Sequence, residues 1–129
     1  MDLKTYFSTQ TGLGVLSTAD EKGIVNAAVY ARPHVQEDGT LAFIMANRTS
    51  NHNLQRNPHA SYLFREEGKG YRGRRLTLTK VGEEVESERL QQLSRRRYSA
   101  EEAQAMKPRS LVFFRVVEER PLVGSSFDG

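Results

Sequence analysis

The chain has 129 residues, and its 19 lysines and arginines exceed its 16 acidic residues by only three charges. This length suits one domain over residues 1–129. The absence of cysteine excludes disulfides, thiolate catalysis and cysteine-ligated metal centres. So small a positive charge does not favour a dedicated nucleic-acid-binding protein, and no nucleic-acid partner is expected.

The apolar stretches of the sequence are all short. The longest runs resemble Leu41–Ala46, whereas a membrane-spanning helix needs roughly 20 apolar residues. The first ten residues also lack an apolar stretch of signal-peptide length. We therefore expect a cytoplasmic protein with no membrane partner.

The first half of the chain alternates short apolar segments with turn signals. The segments 14–18, 24–31 and 41–46 are predicted strands. Between them, residues 21–23 and 37–39 each end in glycine and predict tight turns. Three consecutive strands joined by short turns predict an antiparallel meander.

The second half mixes helices with strands. We predict helices at 49–57, at 83–97 and after the capping-box pattern Ser99-x-x-Glu102. Further strands are predicted at 59–65, 75–81 and 110–117, of which the last is apolar enough to be buried on both faces. The pattern indicates a mainly β fold with six antiparallel strands, curled or closed into a small barrel.

So small a barrel is filled by its own side chains, which places any sizeable cofactor on its outer side. Two of the predicted strands, at 27–31 and 111–117, are too apolar to face water. Either helices or a second subunit must cover them. We favour a homodimer, because a chain of this length offers few covering helices.

One segment has the pattern of an anion-binding site. Residues 47–51, Asn-Arg-Thr-Ser-Asn, join a predicted strand end to a predicted helix N-terminus. Backbone N–H groups there are free, the helix dipole favours an anion, and the arginine and hydroxyl groups add donors. Two interpretations remain open, namely a phosphate pocket and a helix cap with an arginine nearby.

Other patterns give little support for catalysis. The three histidines, His34, His52 and His59, do not have the spacing of a zinc site, so no metal is expected. Contact between His52 and a bound ligand is the one exception we consider. The sequence has no Gly-x-Ser-x-Gly elbow, and its paired carboxylates suit a solvated surface. The catalytic residues are therefore not identified.

The whole pattern resembles the FMN-binding split-barrel family related to pyridoxamine 5′-phosphate oxidase. The resemblance lies in GVLSTADEKGIVNAAVYARPHVQEDGTLAFIMANRTSNHNLQRNPHASYLF at 14–64, followed by GYRGRRLTLTKV at 70–81. It extends over nearly the whole chain. It implies a six-stranded, Greek-key-like antiparallel split β-barrel with short flanking helices, forming a homodimer that binds FMN at the subunit interface.

The resemblance also implies positions for the cofactor contacts. The second strand would pass beside the flavin ring or ribityl chain, and the third would follow the flavin edge. The Arg-Thr-Ser-Asn segment would hold the phosphate, with Arg48 supplying charge where many relatives have basic residues in place of Ala28 and Ser50. The implied cofactor-binding residues are Asn26, Ala27, Ala28, Met45, Ala46, Asn47, Arg48, Thr49, Ser50, Asn51 and Arg75.

The function implied by the resemblance is electron or hydride transfer through FMN, with an unknown substrate and electron donor. The alternative is a non-catalytic module on the same scaffold that carries haem, a deazaflavin or a flavin. Tyr30, Tyr71 and His52 are candidates for lying near the cofactor.

Overall fold

The computed structural model of the protein describes residues 2–124. Over this range the chain forms short helices around a continuous set of β-strands. In chain order the elements are α1 (Leu3–Thr9), β1 (Gly12–Ala19), β2 (Val25–Val29), β3 (His34–Val35), β4 (Leu41–Ala46), α2 (Thr49–Arg56), β5 (His59–Glu66), β6 (Gly73–Val85), α3 (Glu88–Arg95), α4 (Ala100–Met106) and β7 (Arg109–Pro121).

All the strands in the described range belong to one antiparallel sheet with the order β2-β1-β5-β6-β7-β4-β3. The predicted mainly β, antiparallel fold with short helices is confirmed. The sheet has seven strands within residues 2–124 rather than six, because His34–Val35 forms an additional two-residue strand. No helix in the described range is long and apolar enough to cross a membrane.

The predicted three-stranded meander is wrong in its third strand. The turn at residues 21–23 does join β1 to β2, with Gly23 at φ +85°. The second turn, however, joins β4 to the short β3, and β4 pairs on its other side with β7. Residues 41–45 are buried on both faces, which suits a strand placed inside the sheet rather than at its edge.

The helix predicted at 83–97 begins only at Glu88, five residues later than predicted from the acidic residues at 83 and 84. Glu83–Val85 continue strand β6 and pair with β7. Glu86 then adopts φ +42° and turns the chain. Ser87 caps α3, and its hydroxyl accepts a hydrogen bond from the Leu90 N–H. Ser87 therefore sets the start of this helix, and Glu83 and Glu84 belong to strand β6.

Strand β7 is buried on both faces in its first half, as expected. Val112 and Phe114 belong to the main core, and Leu111 belongs to a second apolar cluster. From Arg115 onward the outward-facing residues are exposed.

The sheet curls so that strands distant in its order approach each other. The ring of Tyr30, just after β2, meets the ring of Phe43 in β4 edge-on, with centroids 6.1 Å apart. Helix α2 contacts β1, β2 and β4, and it therefore lies across the gap between β2 and β4. This open, curled sheet is consistent with a split barrel, and its gap creates the cavity described next.

Candidate cofactor site

A cavity of about 380 Å³ lies between β2, β4 and the start of α2. This volume falls within the range of small-molecule sites, about 300–1,000 Å³. Its wall is about half apolar and half polar, and the polar part comprises hydroxyl groups, one amide and one charged side chain. The lining residues are Asn26, Ala28, Val29, Tyr30, Ala31, Ile44, Ala46, Arg48, Thr49, Ser50, Tyr98 and Met106.

The N-terminus of helix α2 opens onto this cavity. Arg48 is the N-cap residue in extended conformation, and no described side chain caps the helix there. The first backbone bond of the helix runs from the His52 N–H to the Arg48 carbonyl, at 2.9 Å. The N–H groups of residues 49–51 precede that bond, and the first turn has no acidic residue. This helix end therefore favours an anion.

The charges around the cavity favour the same kind of ligand. Arg48 is the only charged residue in the lining, and no carboxylate lines the cavity within the described range. The Arg48 side chain is exposed and makes none of the ion pairs found among residues 2–124. An anion placed here would meet a positive charge that no acidic group neutralises.

Tyr30 brings a hydroxyl group to the cavity. Burial raises the pKa of its phenol, while a hydrogen bond with Ser50 and the charge of Arg48 oppose that rise. Tyr98 adds a further small increase. The hydroxyl of Tyr30 therefore stays protonated at neutral pH and can donate a hydrogen bond.

The backbone of Tyr30 is held on both sides. Its N–H donates to the Gly14 carbonyl at 3.0 Å, and its carbonyl accepts a hydrogen bond from the Tyr62 hydroxyl at 3.1 Å. A Cβ atom at position 14 would lie 1.9 Å from the Tyr62 hydroxyl oxygen. Glycine is therefore required there for the contact that fixes this wall of the cavity.

The third wall comes from the α3–α4 pair of helices. Tyr98, between the two helices, and Met106, at the end of α4, pack against the apolar cluster that covers the outer side of β4 and β7. Ile44 of β4 belongs to the same cluster and also lines the cavity. No local sequence pattern predicted Tyr98 and Met106 at this site, because they lie some 50 residues from the anion-binding pattern at 47–51.

The structure brings six of the implied cofactor-binding residues together. All six line the cavity, three from the strands β2 and β4 and three from the start of α2. They are Asn26, Ala28, Ala46, Arg48, Thr49 and Ser50. The small alanine side chains leave space directly above both strands.

The other five implied residues lie outside the cavity lining. Ala27 points to the opposite, exposed face of β2, and Met45 is fully buried in the main core. The Asn47 side-chain oxygen lies 2.7 Å from the His52 ring, and the His52 side chain is exposed. The Arg75 Nε donates to the Pro121 carbonyl at 2.9 Å. Asn51 is buried and donates to Glu83 over 3.4 Å.

Glu83 links α2 to the sheet through these bonds. Burial raises the pKa of its carboxyl, but hydrogen bonds from Gln55, Lys80, Ser110 and Asn51 outweigh that effect and lower the pKa to about 2. Asn51 thus helps to fix the position of helix α2, whereas Thr49 and Ser50 line the cavity.

Two further candidates from the sequence lie elsewhere. Tyr71 is 76 % exposed in the loop before β6, with the Arg65 guanidinium 5.6 Å from its ring centroid. His52 does not line the cavity. Among residues 2–124, no group of three or more His, Asp or Glu side chains is arranged to hold a metal ion.

An exposed apolar row begins at the rim of the cavity. Val29 lines the cavity yet is 72 % exposed, and it pairs with Val15, which pairs in turn with Leu63. Val25, on the same face of β2, is 77 % exposed. We call this surface, formed by Val15, Val25, Val29 and Leu63, the outer apolar row.

Comparison with solved structures identifies the same fold in several proteins. HupZ from Group A Streptococcus matches with a TM-score of 0.74 and 17% identity, over 96% of this chain and 94% of that chain. An FMN-binding protein from Syntrophomonas wolfei matches with a TM-score of 0.73 and 18% identity, over 95% and 85%. An F420 reductase matches with a TM-score of 0.64 and 19% identity, over 85% and 90%.

At these identities the likeness to solved structures establishes the fold alone. No curated protein matches the chain significantly. The model of the family described as pyridoxamine 5′-phosphate oxidase matches residues 4–122, a range that includes all the described strands and helices apart from the first residue of α1. By this match over nearly its whole length, the chain belongs to the pyridoxamine 5′-phosphate oxidase family.

Proposed function

We propose that the cavity binds FMN and that the protein is a homodimeric oxidoreductase using this cofactor. The observation that carries the proposal is the uncapped start of α2, which opens, beside Arg48, into an otherwise uncharged cavity. A phosphate monoester fits that donor set, since it carries about two negative charges and several acceptor oxygens. Family membership and the FMN-binding protein with the same fold support the same cofactor.

The rest of the cavity suits the flavin ring. Ala28 and Ala46 leave a shallow, apolar surface against two strands, where a flat ring can approach the backbone. The amide of Asn26 and the hydroxyl of Tyr30 provide polar groups for the ring edge or the ribityl chain. Tyr98 and Met106 would close the slot from the side of the helices and exclude water.

When bound, FMN supplies the ring that accepts and donates electrons or hydride. The chain's own residues bind, orient and shield it. Arg48 and the α2 N–H groups anchor the phosphate, and the rigid strands fix the orientation of the ring. Tyr30, protonated at neutral pH, supplies a hydrogen-bond donor at the wall of the site.

The homodimer is supported by the outer apolar row. Val29 of β2 and Leu63 of β5 are exposed on either side of the half-buried Val15 of β1, and such apolar side chains favour contact with another protein surface. Because Val29 belongs both to this row and to the cavity lining, a second subunit placed here would complete the open side of the site. Arg75 lies in line with Leu63 and would face that second subunit.

The absorption spectrum of the purified protein is the first test. We expect a flavin spectrum, or its appearance after FMN is added to colourless protein. FMN should bind more tightly than riboflavin, which lacks the phosphate. Equal affinity for the two would contradict the phosphate assignment, and failure to take up any flavin would contradict the cofactor.

Anaerobic addition of NADH or NADPH then tests the reaction. Loss of the oxidised flavin absorbance would support an oxidoreductase. If bound FMN resists both donors, the protein is better described as a cofactor-binding module. A deazaflavin titration run in parallel separates FMN from the cofactor class named for the F420 reductase of the same fold.

A further inference from the structure

A second cavity, of about 290 Å³, lies between α1, β3 and the end of α3. Four of its lining residues, Lys4, Arg32, His34 and Arg97, are basic. No carboxylate lines it within the described range. The lining of the first cavity differs, because Arg48 is its one basic residue within the described range.

The two arginines are held in place by backbone atoms rather than by acidic groups. Arg32 donates through Nη1 to the carbonyls of Phe7 and Gln10, at the end of α1. Arg97 donates through Nη1 to the Arg32 carbonyl at 2.9 Å. Neither arginine belongs to an ion pair among residues 2–124. Each guanidinium has five N–H donors, so most of them remain for a ligand.

The positive charges also act on one another. Burial lowers the pKa of Arg97, Tyr98 opposes that fall, and the charge of Arg32 lowers the pKa further. Burial likewise lowers the pKa of His34 to about 4, with smaller contributions from Arg97 and Arg96. An anion between these groups would relieve their mutual repulsion. The one acidic side chain paired nearby, Glu37, is almost fully exposed and bonds Lys4 at 3.0 Å.

His34 provides an independent indication of a ligand. Its Nε2 atom is buried and has no hydrogen-bond partner among the described residues. A buried polar atom without a partner is destabilising, and native structures rarely retain one without a reason. His34 lines the cavity, so a ligand oxygen that displaced the atoms now covering Nε2 would provide the missing partner.

We infer that this second cavity binds a small organic anion through a carboxylate or phosphate group held by Arg32, Arg97 and His34. The volume exceeds that of a free phosphate ion, which leaves room for an organic portion. The site is separate from the cofactor cavity, because residues 30–31 and 98 line the first and residues 32–35 and 97 line the second. A ligand here would therefore contact the segments that also form the cofactor walls.

Titration of the whole protein with inorganic phosphate tests the inference, followed through the ring signals of His34 in NMR spectra. The signal is identified by its loss in His34→Gln. We expect a saturable shift, and a rise of the His34 pKa toward its ordinary value. Because the signal comes from His34, phosphate bound at α2 does not confuse the result. No saturable shift would overturn the inference.

Matched arginine variants sharpen the test. Arg97→Gln should weaken phosphate binding about tenfold or more, since it removes a charged hydrogen-bond donor. Arg96→Gln removes the same charge from the adjacent residue, which is exposed like Arg97 but lies outside the lining, and should change the affinity by less than about twofold. Equal effects of the two changes, or no effect of Arg97→Gln, would overturn the site.

A second variant and a second probe complete the design. Lys4→Gln alters an exposed helix position that the fold tolerates and should also weaken binding. Parallel titrations with methyl phosphate and acetate distinguish a phosphate ligand from a carboxylate ligand. Saturable binding of either at His34 supports the inference, and binding of neither contradicts it.

Discussion

The guanidinium of Arg109 lies against the carboxylate of Glu86, with Arg109 Nη2 3.4 Å from a carboxylate oxygen. The arginine side chain is fully buried, and the same glutamate also accepts a hydrogen bond from the Arg109 backbone N–H at 2.7 Å. Arg109 further donates to Gln91 at 2.9 Å and to Ser94, both in α3. This network attaches α3, and with it the wall that includes Tyr98, to the first residue of β7.

Arg109→Met should destabilise the protein by about 3 kcal/mol, because it leaves Glu86 and the polar groups of α3 without their central partner. Urea unfolding monitored by circular dichroism measures the change. Arg120→Met is the control, since its ion pair with Glu118 is half exposed. That change should cost less than about 1 kcal/mol. Similar losses in both variants would contradict a central role for Arg109.

The double variant Arg48→Ala, Thr49→Ala should bind FMN more weakly than the wild type by about 1.5–3 kcal/mol. The reason is the loss of a charged phosphate contact at the start of α2. Flavin fluorescence during titration measures the affinity. Arg56→Ala, at the other end of the same helix, removes an equal charge and should leave the affinity within about twofold. Unchanged affinity in the double variant would refute the phosphate site.

Ala28→Leu should obstruct the space above β2 and weaken flavin binding about tenfold or more, through overpacking of about 1–3 kcal/mol. Riboflavin and FMN should lose affinity equally, since the change concerns the ring and not the phosphate. Isothermal titration with each flavin tests this. Ala105→Leu, an exposed change in α4 outside the lining, is the control. Full retention of affinity in Ala28→Leu would place the ring elsewhere.

Leu63→Lys should dissociate the proposed dimer, because it inserts a charge in the outer apolar row. Sedimentation velocity should show a monomer for this variant and a dimer for the wild type. Val81→Lys introduces the same charge at another exposed valine, 54 % exposed and outside that row, and should leave the dimer intact. A wild-type protein that sediments as a monomer would argue against the dimer altogether.

Acid should destabilise the protein through His34. Its pKa falls from 6.5 to about 4 on folding, so the unfolded chain binds more protons between these values. Stability from this group is therefore complete above pH 6.5 and is lost as the pH falls toward 4. After allowance for solvent screening, the loss is about 1–2 kcal/mol. Thermal unfolding in N-methylpiperazine and MES buffers, which contain neither carboxylate nor phosphate, should show this slope, and His34→Gln should lack it.

Local sequence signals predicted the elements whose form depends on nearby residues. The hairpin at residues 21–23 follows from Gly23 and its positive φ, and the Ser99 capping box forms as its spacing predicts. The Arg48–Ser50 segment likewise begins a helix that faces a cavity. In each case the residues that determine the structure are adjacent in the chain.

The features that the sequence did not predict correctly depend on contacts between residues far apart in the chain. Strand β4 pairs with β7, some 70 residues away, and no local signal distinguishes this from pairing with β2. Acidic residues at 83–84 resemble a first helical turn, yet they extend a strand because β7 lies beside them. Tyr98 and Met106 reach the cavity only because α3 and α4 pack over Ile44.

Strand β2 alternates between two surfaces along only five residues. Asn26 and Ala28 line the cavity beside α2, while Val25 and Ala27 face the other way and Val29 lies at the rim. A single residue inserted into or deleted from the preceding turn would exchange the two faces of β2. A valine would then face the cavity and obstruct it, and the Asn26 amide would point outward. The length of that turn should therefore tolerate far less variation than an ordinary surface loop, even though none of its side chains lines the cavity.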